Sequence, residues 1–313
     1  MIDRQQIVAT LDSFDPSQST TPAPLVETYW KHYGIDFSRQ DVSVTQTIGT
    51  VESAGELLVC QLFKPQNPVA SCFILHGYYD HVGLFGHLIA ALLKHDIEVV
   101  AFDQPGHGLS SGEPASINSF FIYADSLEAC MNCCQGKIQQ PWHLVGQSTG
   151  AAVAMTYLLQ RNAAAFDKVV LLAPLVRPSG WRYLKIIQPL LSTFLKKLPR
   201  NFAVNSSDSS FLTFVRELDP FQSKYLKLQW ITAMRDWIRW FVQQPDHSKP
   251  MLVLQGEKDS TVDWAFNIDA IRRLFPQSVV QYFAEAGHHM VNESEELREE
   301  IFAVLVEELL ADR

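Results

Sequence analysis

Gly146-Gln147-Ser148-Thr149-Gly150 follows the apolar run Trp142–Val145 and precedes a helical stretch from Ala151. A serine on such a strand-to-helix turn has its Oγ exposed at a helix N-terminus, where negative charge is favoured. The flanking glycines let backbone segments approach where a Cβ would clash. The chemistry this suggests is nucleophilic. A serine hydroxyl is a poor nucleophile near neutral pH, so it needs a base, and the base needs an orienting carboxylate. On a strand–turn–helix architecture the chain order is Ser, then Asp or Glu, then His. Gly256-Glu257-Lys258-Asp259 follows the apolar run Met251–Leu254, and Gly287-His288-His289 comes after Val279–Phe283. Both lie beyond the C-terminal end of a strand, the edge where open α/β sheets bind ligands. His288 is therefore the expected base and Asp259 the expected acid. Glu257 and Asp263 compete with Asp259, but Glu257 falls early in its turn and Asp263 is placed to cap the next helix. His289 competes with His288, its other reading being a packing neighbour.

Acyl transfer also needs donors for the oxyanion. His76-Gly77-Tyr78-Tyr79 ends the run Ala70–Leu75. The backbone N–H groups of Tyr78 and of Thr149, the residue after the serine, are the expected donors. Losing one such donor typically raises the barrier by about 3–4 kcal/mol. His76 reads as a brace for this loop.

The elements that must position these residues are visible as short apolar runs. Ala70–Leu75, Ile97–Phe102, Trp142–Val145, Val169–Leu172, Met251–Leu254 and Val279–Phe283 suit parallel strands covered on both faces. Amphipathic segments Phe85–Lys94, Ser119–Cys134, Ala151–Arg161 and Ala265–Leu274 separate most of them, which implies right-handed crossovers. Val42–Ile48 and Leu57–Phe63 precede them as two strands joined at Glu52–Gly55. The spacing predicts a closing helix from Glu293 to Leu310, with Leu297, Ile301, Val304 and Leu305 on one face and Asn292 and Glu295 as a capping pair. The fold class is α/β: a mostly parallel, doubly wound sheet with an inserted helical cap. The organisation reads as an N-terminal arm and helix (1–40, with a polar Pro16–Pro24 stretch), core (41–174), cap (175–249) and core again (250–313). The cap interval shows no convincing strand and is too long for an ordinary loop. Leu184, Ile187, Leu191, Phe194 and Leu198 recur at helical steps there, as do Trp230, Met234, Trp237 and Phe241.

Composition narrows the classes. A 47% hydrophobic chain can build a sizeable core, and a formal charge of −9 argues against general nucleic-acid binding. There is no apolar run long enough to span a membrane and no cationic start with an apolar core, so a soluble, cytoplasmic protein is expected. Five cysteines make no disulfide framework. Cys130, Cys133 and Cys134 have no second ligand pair nearby and read as small buried residues rather than a metal site. The GxGxxG and GxxxxGK[ST] phosphate fingerprints are missing, so no cofactor is implied.

The motifs His76-Gly-Tyr-Tyr-Asp-His81, Asp103-Gln-Pro-Gly-His-Gly-Leu-Ser-Ser-Gly112, GQSTG, GEKD and GHHMVNE together resemble the α/β-hydrolase superfamily. The resemblance is closest to its lysophospholipase and monoacylglycerol lipase-like branch, also labelled serine aminopeptidase S33. It covers about residues 70 to 293. It implies Ser148 as nucleophile, Asp259 as acid, His288 as base, Tyr78 and Thr149 as oxyanion donors, and His107 as a bracing residue. Two departures stand out. Tyr78 and Tyr79 occupy positions where small residues are common, and bulk there is expected to narrow the acyl entrance. Gln147 and Thr149 replace the frequent His-Ser-Met or His-Ser-Leu pattern.

The interval 175–249 holds Trp181, Trp230, Trp237 and Trp240, with twelve Lys/Arg against five Asp/Glu. A basic, aromatic lid suits acyl chains and permits peripheral contact with a lipid surface. The expected activity is serine hydrolysis of monoacylglycerol- or lysophospholipid-like carboxylic esters through an acyl-enzyme. The rivals are an S33-type aminopeptidase, which would want lid acids for an α-amino group, and a catalytically silent binding protein. A dehalogenase or epoxide hydrolase would want Asp at position 148.

Overall fold

The computed structural model describes residues 2–18, 21–40, 43–191 and 194–311. The helices are α1 (Arg4–Val8), α2 (Pro24–Tyr33), α3 (Phe37–Gln40), α4 (Gly86–Leu93), α5 (Phe120–Cys134), α6 (Thr149–Gln160), α7 (Trp181–Leu191), α8 (Ser209–Thr213), α9 (Leu228–Phe241), α10 (Trp264–Leu274) and α11 (Glu295–Leu310). The strands are β1 (Thr45–Ser53), β2 (Glu56–Lys64), β3 (Ala70–Leu75), β4 (Ile97–Phe102), β5 (Trp142–Gln147), β6 (Val169–Leu172), β7 (Lys197–Pro199), β8 (Tyr225–Lys227), β9 (Leu252–Gly256) and β10 (Val279–Phe283). Eight of them form one sheet in the order β1-β2-β4-β3-β5-β6-β9-β10. β2 pairs antiparallel with β1 and β4, and the pairs from β4 through β10 are parallel.

Side chains alternate between two cores. Cys72 and Ile74 of β3 face the side covered by α2, α4 and α11, whereas Phe73 and Leu75 face α5 and α6. β4 divides the same way, Val99 and Ala101 against Val100 and Phe102. This period of two, with both faces covered, is why these strands read as unbroken apolar runs. Cys130 and Cys134 are buried in the α5 core, as their helical spacing suggests, and Cys133 is half-buried.

Four runs keep the bounds read from the sequence: β3, β4, β6 and β10. β1 begins at Thr45, and Val42, where that strand was expected to start, lies outside the described residues. It also extends to Ser53, because Ser53 pairs with Glu56 and only Ala54 (φ 51°) and Gly55 (φ 82°) make the turn. Positive φ at both central positions is what a type I′ two-residue hairpin needs, so the tight turn consumes less chain than the Glu52–Gly55 stretch expected. The closing helix starts at Glu295. Its Ser294 cap makes no side-chain bond, and Asn292 Nδ2 instead donates to the carbonyl of Leu84 at 2.8 Å, so the Asn292–Glu295 capping pair does not form. Ile301 and Leu305 are buried on that helix, joined by Phe302, Val306 and Leu309, while Leu297 and Val304 stay half-exposed.

Between β6 and β9 the cap differs from the helical reading in two ways. β7 and β8 form a small antiparallel ribbon, Lys197–Pro199 against Tyr225–Lys227, in an interval where no strand was expected. The stripe from Leu184 to Leu198 is not one buried helix face. α7 carries Pro189 in its last turn and ends at Leu191, whose side chain lies outside the described residues. Ile187 is 47% exposed and Phe194 is 89% exposed, so helical spacing here does not report burial. The second stripe does. Trp230, Met234, Trp237 and Phe241 of α9 are all buried. The Trp237 ring stacks on Phe120, with Nε1 donating to Thr156 Oγ1 at 2.7 Å, which seats the cap on α5 and α6.

Candidate active site

Ser148 joins β5 to α6 with φ 54° and ψ −113°, a conformation an L-residue holds only when its surroundings force it. Its N–H donates to Leu172 O on β6 at 2.9 Å. The neighbouring glycines are sterically required: a Cβ at Gly150 would lie 2.0 Å from Leu75 O, and one at Gly146 would lie 2.6 Å from Gly150 O. The pentapeptide is thus a close crossing of α6 over β3 and β5 that raises one hydroxyl above the sheet edge.

β9 and β10 bring the partners. His288 Nε2 lies 2.9 Å from Ser148 Oγ, and His288 Nδ1 lies 2.7 Å from Asp259 Oδ2. Asp259 Oδ1 accepts from the N–H groups of Thr261 (2.8 Å) and Val262 (3.1 Å). All three residues are buried. Burial opposes charge on Asp259, but the His288 imidazole and the two backbone donors outweigh it and hold the carboxyl below its usual range. Burial likewise disfavours protonated His288, and Asp259, with Asp80 and Glu293 adding to it, overrides that and raises the imidazole above its usual 6.5. A base must be neutral to take a proton, so kcat/KM on a neutral ester is expected to rise with pH through a midpoint above 6.5. A rate profile with its acid limb below that value would contradict this electrostatic balance.

The His76–Tyr79 loop leans over Ser148: a Cβ on Gly77 would sit 3.4 Å from Ser148 Cβ. The N–H groups of Tyr78 and Thr149 donate to no other group among the described residues. The Tyr78 ring is stacked on Trp230 of the cap at 3.8 Å between centroids, and its hydroxyl donates to Ala115 O at 2.7 Å. His76 Nε2 accepts from Gln104 N–H at 2.9 Å and Nδ1 meets Gly77 O at 2.8 Å; burial lowers its pKa to about 3. His107 Nδ1 meets Pro105 O at 3.0 Å, and burial lowers it to about 4. Both act as neutral braces.

The competing residues are placed elsewhere. Glu257 is exposed, and Asp263 pairs with Arg177 at 2.6 Å. Asp263 does precede α10 but makes no side-chain cap bond. His289 lines the same cavity as Ser148 but is engaged by Asp80, its Nε2 lying 3.1 Å from Asp80 Oδ1.

Three further contributors are not singled out by the sequence: Asn205 and Arg200 are polar residues in loops there, and Glu293 ends the GHHMVNE motif without an assigned role. The carbonyl of Asn205, from the cap, accepts the N–H groups of His288 (3.0 Å) and His289 (2.8 Å). Glu293, fully buried, accepts from Gly287 N–H at 2.7 Å through Oε1 and from Ser207 N–H at 2.6 Å through Oε2. The loop bearing His288 is therefore stitched to the cap from both sides. Arg200 is the third, and it lines the cavity described next.

A cavity of about 410 Å³ opens above Ser148 and His288. Leu184, Leu198, Leu212, Val215, Leu226, Trp230 and Ile231 supply apolar walls, and Tyr78 and Tyr79 stand at its side. Among the described residues, no group of three His, Cys, Asp or Glu side chains is arranged to hold a metal ion.

The family model for serine aminopeptidase, S33, matches residues 66–295. The chain belongs to this family. Its curated relatives include the monoglyceride lipase of Mus musculus, 30% identical over 228 residues covering 68% of this chain and 73% of that protein. The monoglyceride lipase of Rattus norvegicus is 29% identical over the same shares. Among solved structures, a soluble variant of the Saccharomyces cerevisiae monoglyceride lipase aligns with a TM-score of 0.71 at 18% identity, covering 84% of this chain and 95% of that one. The Paleococcus ferrophilus monoacylglycerol lipase aligns at 0.69 with 20% identity, covering 80% and 97%. At those identities the structural likeness establishes the α/β-hydrolase fold.

Proposed function

We propose that the protein is a serine hydrolase of carboxylic esters, acting through an acyl-enzyme on monoacylglycerol- or lysophospholipid-like substrates. The observation that carries this is the unbroken hydrogen-bonded line from Ser148 Oγ through His288 to Asp259 at the floor of a largely apolar cavity. Ser148 Oγ attacks the ester carbonyl carbon while His288 Nε2 takes its proton. The oxyanion faces the N–H groups of Tyr78 and Thr149. The acyl C–O bond then breaks, and His288 returns the proton to the leaving alcohol. Water, deprotonated by His288, attacks the acylated serine; the acyl–Oγ bond breaks, His288 returns the proton to Ser148 Oγ, and the carboxylic acid is released. Asp259 keeps Nδ1 as the protonated nitrogen and balances the transient imidazolium.

Kinship with the mouse and rat monoglyceride lipases supports the ester class. The aminopeptidase alternative lacks support in the cavity: among the described residues its one acidic lining residue, Asp80, is bonded to His289, whereas Arg200 and Arg216 both line it. The cap also suits an interface. Tyr183, Ile186, Ile187, Phe194 and Leu195 are exposed beside Arg182, Lys185, Lys196 and Lys197, a combination that favours anionic lipid surfaces. No described helix is long and apolar enough to cross a membrane.

The test is a matched panel of acyl esters and aminoacyl amides, free and on anionic vesicles, with Ser148→Ala as control. Medium-chain esters are expected to exceed acetyl esters, vesicles to raise the rate, and amides to be inert. A monotonic fall from acetyl to decanoyl esters, or faster cleavage of amides, would overturn the assignment.

A further inference from the structure

The cavity above Ser148 carries a cation that the hydrolytic steps do not use. Arg200 follows β7, and its guanidinium lies over the Tyr79 ring at 3.8 Å and over the Phe202 ring at 4.3 Å. Nη1 donates to Gln222 Oε1 and, at 3.4 Å, to Ser223 O. Guanidinium has five N–H donors, so Nε and Nη2 keep three that meet no acceptor among the described residues. Those atoms are not among the buried, unsatisfied ones, and the side chain lines the cavity. No carboxylate lies within ion-pair distance of Arg200 among the described residues, although burial weakens its hold on its proton. Asp80 and Asp219 offset part of the cost of withdrawing Arg200 from water, but without direct contact, and an anionic ligand bonded to the guanidinium would relieve the remainder.

The surroundings point the same way. Arg216 lines the same cavity, and Asp80 is taken by His289. Tyr79, which Arg200 covers, adjoins Asp80, and Asp80 is bonded to the residue after His288. His288 hands its proton to the leaving alcohol, so groups tied to its loop border the alcohol half of the ester. Leu184, Leu226, Trp230 and Ile231 remain for the acyl chain.

We propose that Arg200 binds a phosphate monoester on the alcohol half of the substrate, making monoacyl esters of phosphorylated glycerol-like alcohols preferred over neutral monoacylglycerols. Free N–H groups on a planar fork hold a phosphate bidentately, and its charge of about −1.5 to −2 near neutral pH exceeds that of a carboxylate. The bond that breaks is still the acyl C–O bond; the phosphate stays on the released alcohol. This inference rests on the reading of Ser148 as the acylated nucleophile.

The experiment compares kcat/KM for 1-dodecanoylglycerol and 1-dodecanoylglycerol 3-phosphate, both as monomers, in wild type, Arg200→Gln and Arg200→Lys. Wild type is expected to prefer the phosphate ester. Arg200→Gln should lower the phosphate-to-neutral ratio at least about tenfold, chiefly through KM, as expected for a lost hydrogen bond to a charged group. Arg200→Lys, which keeps the charge but not the fork, should keep part of the preference. Glycerol 3-phosphate should inhibit wild type competitively and Arg200→Gln weakly. A merely structural role for the stacked guanidinium would lower both rates together and leave the ratio unchanged. That result, or a wild type without preference for phosphate, overturns the inference while hydrolysis of the neutral ester and fluorophosphonate labelling of Ser148 keep the ester reading intact. Neither ester cleaved and no label on Ser148 would sink that reading and this inference together.

Discussion

Ser148→Ala is expected to lower turnover of the best ester at least about a thousandfold, as loss of a nucleophile does when the rest of the site survives. The variant removes one oxygen and leaves the elbow intact. Gly146 and Gly150 still make the close crossing, and the backbone bonds of residue 148 to Leu172 and Leu175 remain. A melting curve near that of wild type, alongside the lost rate, is therefore part of the expectation. The two unpaired N–H groups at Tyr78 and Thr149 remain as well, so a small residual rate above the uncatalysed one is consistent with this chemistry. A Ser148→Ala enzyme within tenfold of wild type would require a different nucleophile.

Asp259→Asn should be severe as well, about 10⁴-fold in kcat, and for a reason legible in its hydrogen bonds. Asp259 Oδ1 accepts two backbone N–H groups, from Thr261 and Val262. An asparagine would keep its carbonyl oxygen there, which turns its NH₂ toward His288 Nδ1, 2.7 Å away from the present Oδ2. That amide donates where Asp259 accepts. The imidazole must then carry its proton on Nε2, facing Ser148, and can no longer take the serine proton. The same change removes the carboxylate that raises the imidazole, so whatever activity survives should have its acid limb at lower pH than wild type. Stopped-flow ester hydrolysis across pH measures both effects. A loss of less than tenfold would show that His288 is oriented by something else.

What could be read from the sequence was local or set by chain order. The elbow around Ser148 is legible because its glycines, strand and helix are contiguous. Asp259 and His288 were legible because each follows a strand, and parallel strands deliver their C-terminal ends to one edge. Asn205 was not, and Glu293, although it ends the GHHMVNE motif, had no readable role, since both act on the His288 loop through contacts that periodicity does not encode. The ribbon of β7 and β8 has no sequence signal because three-residue strands have no pattern of their own. Phe194 shows the opposite error: helical spacing suggested a buried face, and the residue is 89% exposed. Asn292 was assigned to a helix cap by its neighbours in sequence, yet its amide is taken by Leu84, far away in the chain. Local rules yield when a long-range partner satisfies the same polar group better.

The most direct measurement is rapid acid quench of wild-type enzyme during ester turnover, followed by peptide mass mapping. The acyl mass is expected on the peptide bearing Ser148, appearing before steady state and missing from Ser148→Ala. Steady hydrolysis with no acylated peptide, or with the acyl group on another residue, would contradict the mechanism.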